Sequence, residues 1–255
     1  MLSKTYTRYI QSLHQKRYRD TQNAFFAEGS KVVMDLLNSG KIVCEHILGT
    51  AHWIKENEPW IRKHYQGPLA VIEEFELRKI SALSTPHQVL GIFKKFKHPQ
   101  PLAKGNITLV LDAIQDPGNL GTIIRTADWF GVHSIICSEN CADQYNPKVV
   151  QSTMGSLGRV ALVYTDLVEW LKKNEAIPVY AAALNGKNIH QFNALTEGII
   201  IVGNEGKGIS EDIMQRAMEK ITIPKTGDAE SLNVAVAAGI ILSHLTAAPV
   251  QRKLG

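Results

Sequence analysis

Apolar and polar positions along this chain follow two rhythms. Up to about residue 97, short helical and strand periods alternate, and "GSKVVMDLLNSG" (29–40) predicts a helix closed by Gly40. "HPQPLAKGN" (98–106) clusters prolines, a glycine and polar residues, which reads as a linker. Beyond it the pattern sharpens into apolar runs of strand length: "ITLVLDAI" (107–114), "SIIC" (134–137), "VYAAAL" (179–184), "GIIIVG" (198–203) and "KITIP" (220–224). Helical stretches such as "GTIIRTADWFG" and "LVEWLKKN" separate most of them. The alternation predicts an α/β fold with a mostly parallel sheet covered on both faces. In such sheets, sites form beyond the carboxyl ends of the strands. Three chemically loaded loops fall there: "QDPGNLGTIIR", "GNEGKG" and "PKTGDAESLN".

Each loop has a local reading and a functional one. Asn119 can cap the helix that follows it, or serve a site. Arg125 can pair with Asp128 three positions on, or turn its planar fork to a phosphate or a developing oxyanion. In the second loop Gly203, Gly206 and Gly208 permit positive φ and close approach to the backbone. Glu205 repels a polyphosphate there but suits a cationic, hydroxyl-bearing cofactor such as S-adenosylmethionine. The alternative is a helix start whose acids favour the dipole. The glycine order G-x-x-G-x-G also departs from the dinucleotide fingerprint, which argues against a dehydrogenase. In the third loop Ser231 can cap a long helix, and Asn233, within its first turn, sits less comfortably as a helix residue.

Charge sharpens the division into halves. Residues 1–104 hold sixteen Lys/Arg against nine Asp/Glu, a balance of +7, and residues 105–255 hold twelve against fifteen, a balance of −3. The first part therefore either meets a polyanion or carries a merely solvated basic face. Its Phe25 and Phe26 read as core, with stacking on a base as the alternative. No apolar run approaches membrane-spanning length, and no signal peptide opens the chain. Three cysteines argue for a reducing cytoplasm. His133, Cys137 and Cys141 recur at spacings of four, but "SIIC" as a strand does not gather them on one face, so no metal is expected.

Taken in order, D-x-x-x-D-P-x-N-x-G-x-x-x-R, G-N-E-G-x-G-I-S and I-P-x-x-G-x-x-E-S-L-N-V resemble the three motifs of the SpoU (TrmH) family. These are S-adenosylmethionine-dependent RNA ribose 2′-O-methyltransferases of the SPOUT superfamily. The motifs span residues 111–245, and together they are highly specific. "KRYRDTQNAFFAEGSKVVMDLL" and "ISALSTPHQVLGIF" are similar, more loosely, to the family's small RNA-binding domain, itself like a ribosomal protein. Two departures stand out: Lys225 replaces the usual methionine after I-P, and Gln151 replaces a basic residue before S-x-x-G.

The resemblance implies an RNA-binding domain over 1–97, a linker over 98–106 and a methyltransferase domain with a deep trefoil knot over 107–255. It implies that Gly203, Asn204, Gly206, Ile223, Leu232 and Asn233 hold S-adenosylmethionine. It assigns catalysis to Arg125, Asn119, Glu205, Ser231 and Asn233, with Arg125 as base or as electrostatic stabiliser. It further implies a homodimer whose site is completed across the interface, and RNA as substrate, ribosomal RNA before transfer RNA. A non-catalytic RNA-binding relative is the rival, against which the intact motif residues speak.

Overall fold

The computed structural model describes residues 2–98 and 101–246, so part of the expected linker lies outside the described residues. The chain divides into two compact units. Met1–Lys97 with Asp143–Arg159 form one, and His98–Ala142 with Val160–Gly255 form the other.

The first unit is built on strands β1 (Ala24–Glu28), β2 (Cys44–Gly49), β3 (Leu69–Val71) and β4 (Val89–Lys94), ordered β1-β4-β2-β3. β4 runs antiparallel to β1 and β2, and β3 parallel to β2. Phe25 and Phe26 are packed as core residues, as expected. The helix Ser30–Asn38 buries Val32, Val33 and Leu36 at one-turn spacing. Gly40, at φ 65°, follows its end as expected.

Asp143–Arg159, which the sequence assigns to the second domain, packs in this first unit. Arg19 shows the cause. It is 2% exposed, donates to Asp143 Oδ2 at 2.6 Å, and donates to the carbonyls of Leu13 and His14 at 2.9 Å. Removing one partner of so buried a pair costs about 3–5 kcal/mol. One cation of the basic half is therefore structural and cannot meet a polyanion.

The second unit carries six strands, all parallel: β5 (Ile107–Asp112), β6 (Ser134–Cys137), β7 (Ala161–Tyr164), β8 (Val179–Asn188), β9 (Gly198–Gly203) and β10 (Glu219–Thr222). Their order is β10-β8-β9-β5-β6-β7. Five match the apolar runs. β7, "ALVY", was missed because only Leu162 of its four residues is buried, which blunts the strand signal at a sheet edge. Leu109, Val110, Leu111 and Ile199–Ile201 are wholly buried, so both faces of the sheet centre are covered. Because β5 and β9 are neighbours with Asp112 opposite Gly203, the first two loops start side by side.

Candidate active site

The loop after β5 enters the helix Pro117–Trp129 through Asp116, whose carboxylate accepts the Asn119 N–H at 2.9 Å. Asp followed by Pro is a strong helix-start signature, with the acid as cap and proline at the first position. Asp116 therefore displaces Asn119 from the capping role. Asn119 lies inside the first turn, and its side chain is left to reach outward. Its amide donates to Glu205 of the second loop, while its oxygen accepts from the Asn233 amide at 2.9 Å. Three residues far apart in sequence thus form one hydrogen-bonded line.

The loop after β9 is a closed hairpin. Asn204 and Gly208 exchange backbone hydrogen bonds at 3.0 and 2.8 Å. The Asn204 side-chain oxygen accepts the N–H groups of Gly206 and Lys207, and its amide donates to the Ala113 carbonyl at 3.0 Å. Asn204 is thus the internal brace of the loop. Of the three glycines only Gly208 has a positive φ, 71°. Gly203 is needed for another reason: a Cβ there would collide with the backbone of Gly208 and Ile209. Below the hairpin, the buried Asp112 accepts the Ser210 N–H at 2.7 Å and ties the end of the loop to β5.

The third loop ends at Asn233, which is the cap of the helix Val234–Leu245 and accepts from Ala235 and Val236 at 3.0 and 3.3 Å. The cap is therefore two residues later than the Ser231 expectation. Asn233 uses its oxygen for the helix and its amide for Asn119. Ser231, exposed, makes no hydrogen bond among the described residues.

The second and third loops, with Ala182–Leu184 of β8, enclose a pocket of about 680 Å³. Gly203, Asn204, Glu205, Gly206, Ile223, Ser231 and Leu232 all line it, whereas Asn119 and Asn233 flank it through their link to Glu205. Val202, Ile209, Ile221 and Ile241 supply an apolar wall. That volume lies within the roughly 300–1,000 Å³ of small-molecule sites. An adenine against the apolar wall, hydroxyls against loop backbone and a cation near Glu205 match these donors and acceptors. A polyphosphate does not, since Glu205 stands where it would lie.

Arg125 does not line this pocket. It is exposed on the helix Pro117–Trp129 and its side chain makes no hydrogen bond or ion pair among the described residues, so the alternative pairing with Asp128 is not formed. The structure brings Asn119, Glu205 and Asn233 together and leaves Arg125 apart from them. Asp112 and Asp116 brace the site and went unassigned at the level of sequence. Both stand in the first motif as its two D positions, and Asp116 is legible from the Asp-Pro step as well.

Cys137 and Cys141 lie nearer each other than a plain strand would place them. The Cys141 thiol is lowered to about 7, chiefly by the Cys137 side chain and further by Ser138 and the Ile114 N–H. The same contact, with burial, pushes Cys137 well up. Among the described residues, no three His, Cys, Asp or Glu side chains group so as to hold a metal ion. None of the helices there is long and apolar enough to cross a membrane.

Comparison with known proteins bears on both units. Residues 106–243 match the profile of the SpoU rRNA Methylase family, and residues 4–91 that of an MRM3-like substrate binding domain. The chain is 33% identical to the 23S rRNA (guanosine(2553)-2′-O)-methyltransferase RlmP of Bacillus subtilis, over 91% of this chain and 92% of that protein. A TrmH-family structure from Porphyromonas gingivalis superimposes with a TM-score of 0.84 at 36% identity, covering 95% of this chain and 97% of the other. An AdoMet-bound rRNA methyltransferase from Sinorhizobium meliloti gives a TM-score of 0.84 at 29% identity, over 95% and 94%.

Proposed function

Because the chain belongs to the SpoU rRNA Methylase family, we propose that it transfers a methyl group from S-adenosylmethionine to a ribose 2′-hydroxyl of RNA. The observation that carries this reading is the line Glu205–Asn119–Asn233 at the edge of the pocket. It joins all three motif loops at one point. Bound in the pocket, S-adenosylmethionine supplies a methyl group made electrophilic by its sulfonium. Gly203, Asn204, Gly206, Ile223 and Leu232 would hold it, with Asn233 positioned by its helix cap.

The remaining chemistry falls to side chains. Asn119 and Asn233 order the site by hydrogen bonds, and the unpartnered Ser231 hydroxyl is available to the substrate. Arg125 has a free guanidinium, suited to holding the target phosphate and stabilising the alkoxide as the hydroxyl passes its proton to solvent water. A guanidinium stays charged at every pH at which proteins fold, which disfavours it as base.

Ribosomal RNA is the preferred substrate class, since the relatives above include a 23S rRNA enzyme. In a bacterial cell that substrate places the enzyme in the cytoplasm. A trefoil knot through the three loops and a homodimer complete the reading. In support of the dimer, the packed helices Pro117–Trp129 and Val234–Leu245 expose Trp129, Val236 and Ile240. A site completed by a second copy would also account for an Arg125 that stands outside its own pocket.

The test is direct. The purified protein should bind S-adenosylhomocysteine in calorimetry. It should also move labelled methyl from S-adenosylmethionine into ribosomal RNA of a strain lacking the gene, as 2′-O-methylnucleosides. Binding and transfer both absent would overturn the proposal.

A further inference from the structure

The first unit holds a cavity of its own, about 400 Å³, between β1, the turn after the helix Glu74–Ile80 and the helix Pro147–Thr153. Its apolar lining includes Phe26, Leu83 and Val150, and its polar lining Asn146, Gln151 and Ser152. These three polar side chains have capacity to spare. Asn146 uses its oxygen on the Lys148 N–H at 2.9 Å, and its amide nitrogen has no acceptor among the described residues. The Gln151 amide and the Ser152 hydroxyl make no side-chain hydrogen bond there.

Glu28 also lines the cavity, but both its oxygens are engaged, one by the Ser81 hydroxyl and one by the Ala82 N–H at 2.8 Å. Its carboxylate is thus consumed in holding the 81–83 turn. What remains is an apolar surface edged by neutral donors and acceptors, with His14 and the exposed Lys148 also in its lining. A lipid tail would leave the amides unsatisfied. A polyphosphate would need paired cations and would meet Glu28. A nucleobase has apolar faces and an edge of donors and acceptors that amide side chains match two at a time.

We infer that this cavity is a nucleobase subsite that takes one unpaired base of the RNA, read on its edge by Gln151 with Asn146 and Ser152. It rests on the reading of the chain as an RNA methyltransferase and adds to it a place where sequence is discriminated away from the cofactor pocket. Lys148 would then meet the neighbouring phosphate, a contact that holds without reading sequence.

The experiment uses the full chain with fluorescein-labelled single-stranded RNA decamers of A, of U and of C, at fixed salt. Wild type should prefer one decamer over the weakest by at least about fivefold, the low end for one good amide–base pair. Gln151→Ala should level that preference while S-adenosylhomocysteine binding stays unchanged. Because Gln151 is partly exposed and unpartnered, its loss does not threaten the fold. As a second readout, photo-crosslinking with 4-thiouridine decamers should place adducts at Leu83 or within 146–152. An unaltered preference in Gln151→Ala, or adducts confined to other segments, overturns the subsite. Absent S-adenosylhomocysteine binding in wild type would instead count against the methyltransferase reading, and the crosslinks would still decide the subsite.

Discussion

Asn119 donates its side-chain amide to Glu205 across 86 positions of sequence, and it can do so because Asp116 has taken over the helix cap. The two residues of one turn therefore divide their labour: Asp116 holds the helix and Asn119 holds the site.

That division is measurable. Asp116→Ala should cost about 1 kcal/mol of stability, the usual loss of a cap, and lower the melting temperature. Asn119→Ala should leave the melting temperature nearly unchanged, since alanine suits a helix and the lost bonds are partly exposed. Its methyl transfer should fall by about tenfold or more. Equal destabilisation by the two substitutions would collapse the distinction.

Arg125→Ala should keep cofactor affinity while the transfer rate falls about a hundredfold, the scale of losing one oxyanion donor. Arg125→Lys separates the roles. A lysine acting as base should restore activity with a rate that climbs with pH, as its ammonium gives up its proton. A residue needed for its two-pronged fork should be rescued poorly at every pH. Initial rates from pH 6 to 9 decide, and wild-type rates from Arg125→Ala would remove the residue from the mechanism.

Gly203→Ala should open the hairpin, because its new Cβ cannot coexist with the closing backbone of Gly208 and Ile209. S-adenosylhomocysteine affinity, read by calorimetry, should drop at least about tenfold. Gly239→Ala, outside the pocket lining, is the control: its Cβ would meet only Thr126 Cγ2, at 3.7 Å, so affinity should change little. Comparable losses in both variants would show that the hairpin closure is not what shapes the pocket.

A chain beginning at Lys104 retains every loop of the cofactor pocket, but it also retains Asp143–Arg159 without the unit in which that segment packs. Val149, Val150 and Leu157, each buried, would be uncovered. Such a chain should aggregate, or melt well below the full protein. A truncation that melts like the full protein would show that the segment holds its shape unaided.

Five of the six parallel strands were legible in the apolar runs, because a strand buried on both faces writes its burial into consecutive residues. The three loaded loops were legible too, since glycine, proline and capping residues carry their geometry locally. Which of two eligible residues caps a helix was not. Asn119 lost to Asp116, and Ser231 to Asn233, because the choice depends on where the backbone turns. Nor could spacing show that Asp143–Arg159 leaves the sheet's unit, or that Cys141 feels Cys137. Sequence by itself determined the parallel sheet, the order of the motifs and the residue types at the site, all set by contacts a few positions apart. Only the tertiary structure decided that Asn119, Glu205 and Asn233 form one line and that Arg125 stands apart, because contacts across 86 and 114 positions depend on strand order, which no local pattern encodes.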